Sequence, residues 1–199
     1  ISTLTQRNPN PYDGEAYYHL GWALKMQNKN NEAFDAFYKS VWNDAWQHAG
    51  YLNLARIAVI NNNYEESFEH IQKALIKNYH GHTARHLKVV ILRKLKKPKE
   101  TAALIEESLE LDPFNFGCLY EKYLLLRITE NGDAAGALMH LKKLSRNWVH
   151  NFIEYSFDYA HAGLYKEAGQ FLSVYSEGIL DVYPMVEYYL GWFAYQSGD

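Results

Sequence analysis

The sequence predicts an all-α fold, an α-solenoid of about five and a half helical hairpins, and three observations predict it. A period of about 34 residues runs along the chain. Leu20-Gly21 recurs as Leu54-Ala55, and Ala33, Phe37 and Ser40 recur as Ser67, Ile71 and Ala74. Inside each period the apolar residues keep helical spacing, with Leu20, Leu24, Ala33 and Phe37 on one side and Glu32, Asp35 and Lys39 on the other. Turn-forming residues fall between the helical stretches, at 28–31, 61–63, 96–98, 132–133 and Gly163.

Taken in order, residues 1–13, with Asn8-Pro9-Asn10-Pro11, read as a linker entering the first helix. The first repeat spans 14–47 and sets Tyr17, Leu20, Gly21 and Leu24 on its first helix. The second, 48–81, follows without a gap. The third, 82–115, keeps Leu92, Ile105, Ser108 and a terminal Asp112-Pro113, but Lys88-Val89 replaces the Leu-small pair. The fourth, 116–148, needs about two extra residues to bring Gly132, Ala137 and Leu141 into register, and a longer turn at 129–133 absorbs them. The fifth, 149–182, aligns Tyr159, Gly163, Ala168 and Leu172. Tyr188-Tyr189-Leu190-Gly191-Trp192 then echoes Tyr18-His19-Leu20-Gly21-Trp22, so 183–199 opens a partial sixth repeat.

Small residues at Gly21, Ala33 and Ser40 let helix backbones cross closely, Pro113 ends one helix and Pro184 opens the last. A single hairpin cannot bury its apolar stripe alone, so 14–199 is expected to stack into one solenoid domain. A chain that starts at Ile1 and stops inside a repeat reads as a piece of a longer protein.

This repeat resembles the tetratricopeptide (TPR) family, whose pattern runs W-x2-L-G-x2-Y, then A-x3-F, then Pro. Leu20-Gly21, Ala33-x3-Phe37 and Pro113 carry the likeness, and Lys88-Val89 departs from it. The resemblance covers 14–199 and implies a right-handed superhelix whose first helices line a concave groove. Carried over position by position, the groove residues are Tyr18, His19 and Trp22, then Asn53 and Arg56, then His86 and Arg93. Tyr120 and Arg127, Phe157, and finally Tyr188 and Trp192 complete the set. Chaperone-binding members grip a peptide carboxylate with a Lys/Asn/Asn/Lys/Arg clamp. The matching positions here are Tyr18, Trp22, Asn53, Thr83 and Leu87, of which only Asn53 agrees, so that activity is disfavoured.

A second stretch, 32–58, with Tyr38, Trp42, Trp46 and Leu54-Ala55-Arg56, is similar to the C-terminal repeat region of large bacterial proteins. Those proteins carry an uncharacterised β-rich N-terminal region of carbohydrate-enzyme character.

Composition excludes several classes of function. The 199 residues carry 20 Lys+Arg against 23 Asp+Glu, a formal net charge of -3, which provides no field for nucleic acid or an anionic membrane surface. No apolar run approaches a membrane span, and no signal region opens the chain. Cys118 is the only cysteine, so no internal disulfide forms; this fits a reducing, cytoplasmic compartment, with the periplasm as the alternative.

The candidate chemistry is sparse. His80, His82 and His86 include an i, i+4 pair that could share a zinc ion, but no Glu or Cys stands at ligand spacing in that turn. Glu65, Glu66 and Glu69, like Glu106, Glu107 and Glu110, fall on second helices and read as solvated faces rather than as an acid pair across a cleft. Cys118 reads as a small core residue rather than a nucleophile. Arg93, Lys94, Lys96, Lys97 and Lys99 read as a solvated hairpin turn. There is no phosphate-binding glycine loop, G-x-S-x-G elbow or H-E-x-x-H motif.

The expectation is therefore a protein that is not an enzyme and uses no cofactor or metal. It would be a protein-protein interaction scaffold whose aromatic-lined groove binds a peptide or a neighbouring domain of its parent protein. Self-association through the apolar C-terminal helix is the further partner expectation. The alternative is a non-catalytic repeat region of a larger carbohydrate-active protein, with groove aromatics contacting sugar or the catalytic domain.

Overall fold

The computed structural model describes residues 13–130, 132–178 and 183–198. The linker expected over 1–13 thus lies outside the described residues except for Asp13, as does the end of the fifth repeat at 179–182. Among the described residues there are eleven helices and no strand. The chain divides into two compact units, residues 1–84 and 85–199.

The first unit holds two hairpins, α1 (Glu15–Lys25) with α2 (Asn30–Ser40) and α3 (Asp44–Ile60) with α4 (Tyr64–Lys77). Helix α5 (His82–Lys94) begins at its end and runs into the second unit. There it is followed by α6 (Pro98–Leu111), α7 (Phe116–Thr129), α8 (Ala134–Leu144), α9 (Val149–Ala160), α10 (Tyr165–Ser176) and α11 (Pro184–Ser197).

The period survives in three dimensions as a period of burial. Ala33, Ser67 and Thr101 are fully buried at matching places on α2, α4 and α6, as are Phe37, Ile71 and Ile105 one turn later. The hairpin turns repeat as well. Asn28, Asn62, Lys96 and Glu130 take left-handed backbone, with φ of 59°, 57°, 56° and 51°. The chain then doubles back through a bond from the next amide to a carbonyl five residues earlier: Lys29 to Leu24 at 3.0 Å, Asn63 to Ala58 at 2.8 Å, Lys97 to Leu92 at 3.1 Å. Asparagine tolerates this conformation, which explains its use in the first two turns.

One boundary differs from the expected one. The first helix of the second repeat starts at Asp44, not near residue 48, because the Asn43 side chain accepts from the Ala45 amide and caps it there. The added turn is held by Trp46, whose indole N–H donates to Asp13 Oδ1 at 2.8 Å and whose ring lies 4.7 Å from that of Tyr18.

The basic run also departs from expectation, since two of its cations turn inward. Arg93 makes two bonds to Glu121, 2.6 Å from Nε and 3.1 Å from Nη2, and Lys94 pairs with Glu167. Glu121 is completely buried and also accepts the Tyr159 hydroxyl at 2.6 Å. This network ties α5, α7 and α9 together inside the second unit. Burial, with the Glu121 charge beside it, pushes the Tyr159 phenol well above its ordinary range.

Two predictions follow from this packing. A Cβ at Gly21 would lie 2.7 Å from the Phe37 ring, so Gly21→Leu should cost about 1 to 3 kcal/mol by overpacking; an unchanged melting temperature would refute that crossing. Glu121→Ala removes the buried partner of the largely enclosed Arg93 guanidinium and should cost about 3 to 5 kcal/mol in chemical denaturation. A loss below about 1 kcal/mol, the level of an exposed pair, would show the network to be solvated.

Candidate functional site

First-helix side chains in the first unit form an aromatic ledge with cations beside it. Tyr18 and Trp22 are half-buried, each resting edge-on against Phe37 at 5.7 and 6.3 Å between ring centres. Both rings pack against the core cluster of Phe37, Leu54 and Ile57 while keeping part of their surface open. Their place follows from helical spacing, since residues 18 and 22 share a face one turn apart. His19 is exposed, 3.8 Å from Glu15, with its ring 5.9 Å from Trp46.

Lys25 completes the ledge. Its amine lies over the Trp22 ring, 5.2 Å from the centre. Burial, and then the charge of Arg56, bring its pKa down to about 7. Arg56 is buried on α3, with Nη1 3.5 Å from Asn53 Oδ1, and Asn53 in turn donates to the Ala49 carbonyl at 3.0 Å. Lys25 on α1 thus lies beside an indole and within reach of the Arg56 charge on α3.

In the second unit the expected groove residues divide into two groups. His86 and Tyr120 are buried: the His86 ring fits over Gly117, with Nδ1 3.5 Å from Asp158, and Tyr120 packs edge-on against Phe171 at 5.0 Å. Arg93 is engaged by Glu121. The other group reaches solvent. Arg127 is exposed and donates to the Tyr123 hydroxyl at 3.1 Å. Phe157 and Trp192 are half-buried, 6.2 Å apart, with Tyr189 edge-on to Phe157 at 4.9 Å, and Tyr188 stands open on α11.

The remaining candidates have structural surroundings. Cys118 is buried and burial pushes its thiol far up, away from nucleophilic use. His80 and His82 are exposed whereas His86 is enclosed, and no group of three His, Cys, Asp or Glu able to hold a metal occurs among the described residues. Asn63 caps α4, its Oδ1 accepting the Glu66 amide at 3.3 Å, and its Nδ2 donates to Glu66 Oε2 at 2.8 Å. Glu106 and Glu107 reach Lys122 and Arg85 at 2.8 and 3.0 Å. No helix among the described residues is long and apolar enough to cross a membrane.

Sequence reasoning missed Trp46, which closes over Tyr18, and the desolvation of Lys25. Residue 46 lay at a repeat boundary, outside the groove pattern, and nothing in a single sequence tells that Lys25 is desolvated.

No family model matches the chain, and no curated protein does. Solved structures do. A tetratricopeptide repeat protein from Parabacteroides merdae is 15% identical with a TM-score of 0.65, over 99% of this chain and 77% of that one. YrrB, described as a TPR protein with an unusual peptide-binding site, is 17% identical with a TM-score of 0.59, over 93% of this chain and 94% of its own. MamA is 13% identical with a TM-score of 0.61, over 86% of this chain and 98% of its own. At such identities the likeness concerns the fold, and the fold of this chain is an α-solenoid of tetratricopeptide-type helical hairpins.

Proposed function

We propose that this chain is a protein-protein interaction scaffold, a single solenoid domain over 14–199, which binds a peptide or a neighbouring domain of its parent protein on its first-helix aromatics. The observation that carries this is the half-open state of Tyr18 and Trp22 in one unit and of Phe157 and Trp192 in the other. Each ring is fixed by core contacts on one side and has surface left on the other. Such rigid amphipathic anchors give a partner large contact area at little entropy cost. The peptide-binding site of YrrB supports a peptide as the kind of partner. The proposal extends to self-association through α11.

Buried or internally paired residues of the expected groove, namely Asn53, His86, Arg93 and Tyr120, hold the first helices in place. Contact falls to Tyr18, His19, Trp22, Arg127, Phe157, Tyr188 and Trp192, with Lys25 receiving a carboxylate of the partner and the buried Arg56 adding its charge.

Affinity capture with the chain as bait tests this. Trp22→Ala with Trp192→Ala should weaken retention of the captured partner at least about tenfold, while neutralising Glu65, Glu66 and Glu69 on α4 leaves it unchanged. Equal loss from the α4 variant would move the site to the second helices. The proposal also has a pH signature. A carboxylate bound beside Lys25 raises its depressed pKa, so binding takes up a proton above pH about 7 and affinity falls as pH rises further. Lys25→Met should abolish that slope; a slope that persists would place the linked proton elsewhere.

A further inference from the structure

We propose that a cavity between α6, α7 and α8 is a binding site for a small apolar ligand that carries an amine. It uses none of the first-helix aromatics and does not depend on their partner.

The cavity sits where the repeat departs from its own pattern. The small residue near the start of each second helix is fully buried as Ala33, Ser67, Thr101 and Ala168. In the fourth repeat it is Ala137, which is only partly covered. Three periods after Leu20-Gly21 stand Lys122-Tyr123, so the pair that closes the first hairpin is replaced here. The Lys122 ammonium is drawn to Glu106 of α6 at 2.8 Å. An unbranched chain held by its end leaves open the space that the buried Leu54 fills at the matching place in the second repeat.

What remains is a cavity of about 410 Å³, within the range of pockets that take small molecules. Each helix gives it one stripe. Leu109 lies a turn from Glu106 on α6, Leu119 and Leu126 flank Lys122 on α7, and Ala137 lies a turn from both Asp133 and His140 at α8. Leu119 is buried, and Leu109 and Leu126 are partly so, whereas Glu106, Asp133 and His140 are exposed. The walls are therefore apolar and the polar groups stand at the mouth.

Charge decides the class of ligand. Two carboxylates face one ammonium, and Glu106 already holds that ammonium. The unmatched charge is Asp133. Its Oδ1 accepts the Gly136 amide at 2.7 Å and caps α8, so the carboxylate is fixed in direction while it stays exposed. A cation reaching it makes a charge-assisted bond without breaking the Lys122–Glu106 pair, whereas an anion meets net repulsion. An apolar body against Leu119, Leu126 and Ala137, with its amine at Asp133, satisfies both parts of the site.

Three probes of similar shape test this: phenethylamine, phenethyl alcohol and phenylpropionate. Each is titrated into the 199-residue chain with labelled alanine and leucine methyl groups, read by NMR at about pH 8, where an aliphatic amine is charged and imidazole is not. Phenethylamine should shift the methyls of Ala137, Leu119 and Leu126 with a Kd on the order of 1 to 10 mM, the scale for so small a ligand. The alcohol should bind at least about threefold and the phenylpropionate at least about tenfold more weakly. Asp133→Asn keeps the cap and should bring the amine down to the level of the alcohol. Ala137→Phe should abolish binding at an unchanged or raised melting temperature, where Ala33→Phe in the filled first hairpin lowers it. No shift of these methyls at about 50 mM amine, or amine binding that survives Ala137→Phe, would overturn the site. Equal affinity for the three probes would overturn the amine as the class of ligand.

Discussion

The close crossing of the two helices in a hairpin is the constraint on which the rest depends. In the first repeat it is the Phe37 ring lying against the bare backbone of Gly21, with Ala33 buried one turn away. Nothing larger than glycine fits opposite that ring without displacement, and a helix so held has its next face fixed in direction. Tyr18 and Trp22 are therefore presented on a rigid helix by the same contact that closes the hairpin. Repetition at a period of about 34 residues carries the device along the chain, which explains the recurrence of buried small residues, large residues and left-handed turns.

The two units use their first-helix faces differently. In the first unit the face bears two cations near an indole, one of them shifted by desolvation toward neutrality. In the second, Glu121 draws Arg93 and the Tyr159 hydroxyl inward, burying the hydroxyl and leaving the guanidinium only partly open to solvent. A buried carboxylate with three charge-assisted or hydroxyl bonds is stabilising only when complete, so this network fixes helix positions rather than offering a binding surface. Phe157 and Trp192, on α9 and α11, keep part of their surface open.

The fold was largely legible in the sequence because its signals are local and repeated. Leu20-Gly21 with Ala33 and Phe37 states a hairpin, and each further copy at the same spacing strengthens the reading. What stayed hidden depends on contacts between residues far apart in sequence. The early start of α3 needs Asp13 to hold Trp46, and Arg93 and Lys94 look solvated until Glu121 and Glu167 are brought to them. The residues expected to line a groove lie in helices, but burial, which separates Asn53, His86 and Tyr120 from His19, Arg127 and Tyr188, is decided by neighbours that a repeat pattern does not name.

The central claim is that first-helix aromatics form the working surface, and the five tryptophans offer a direct measurement of it. Trp22 and Trp192 lie on first helices and are half-buried, whereas Trp42 and Trp148 stand exposed beyond the ends of α2 and α8, at 69% and 62%. With 5-fluorotryptophan incorporated, fluorine NMR resolves each ring separately as the captured partner is added. The account predicts that the Trp22 and Trp192 resonances shift and broaden while those of Trp42 and Trp148 stay in place. Movement confined to Trp42 and Trp148, with Trp22 and Trp192 unchanged at saturation, would contradict it.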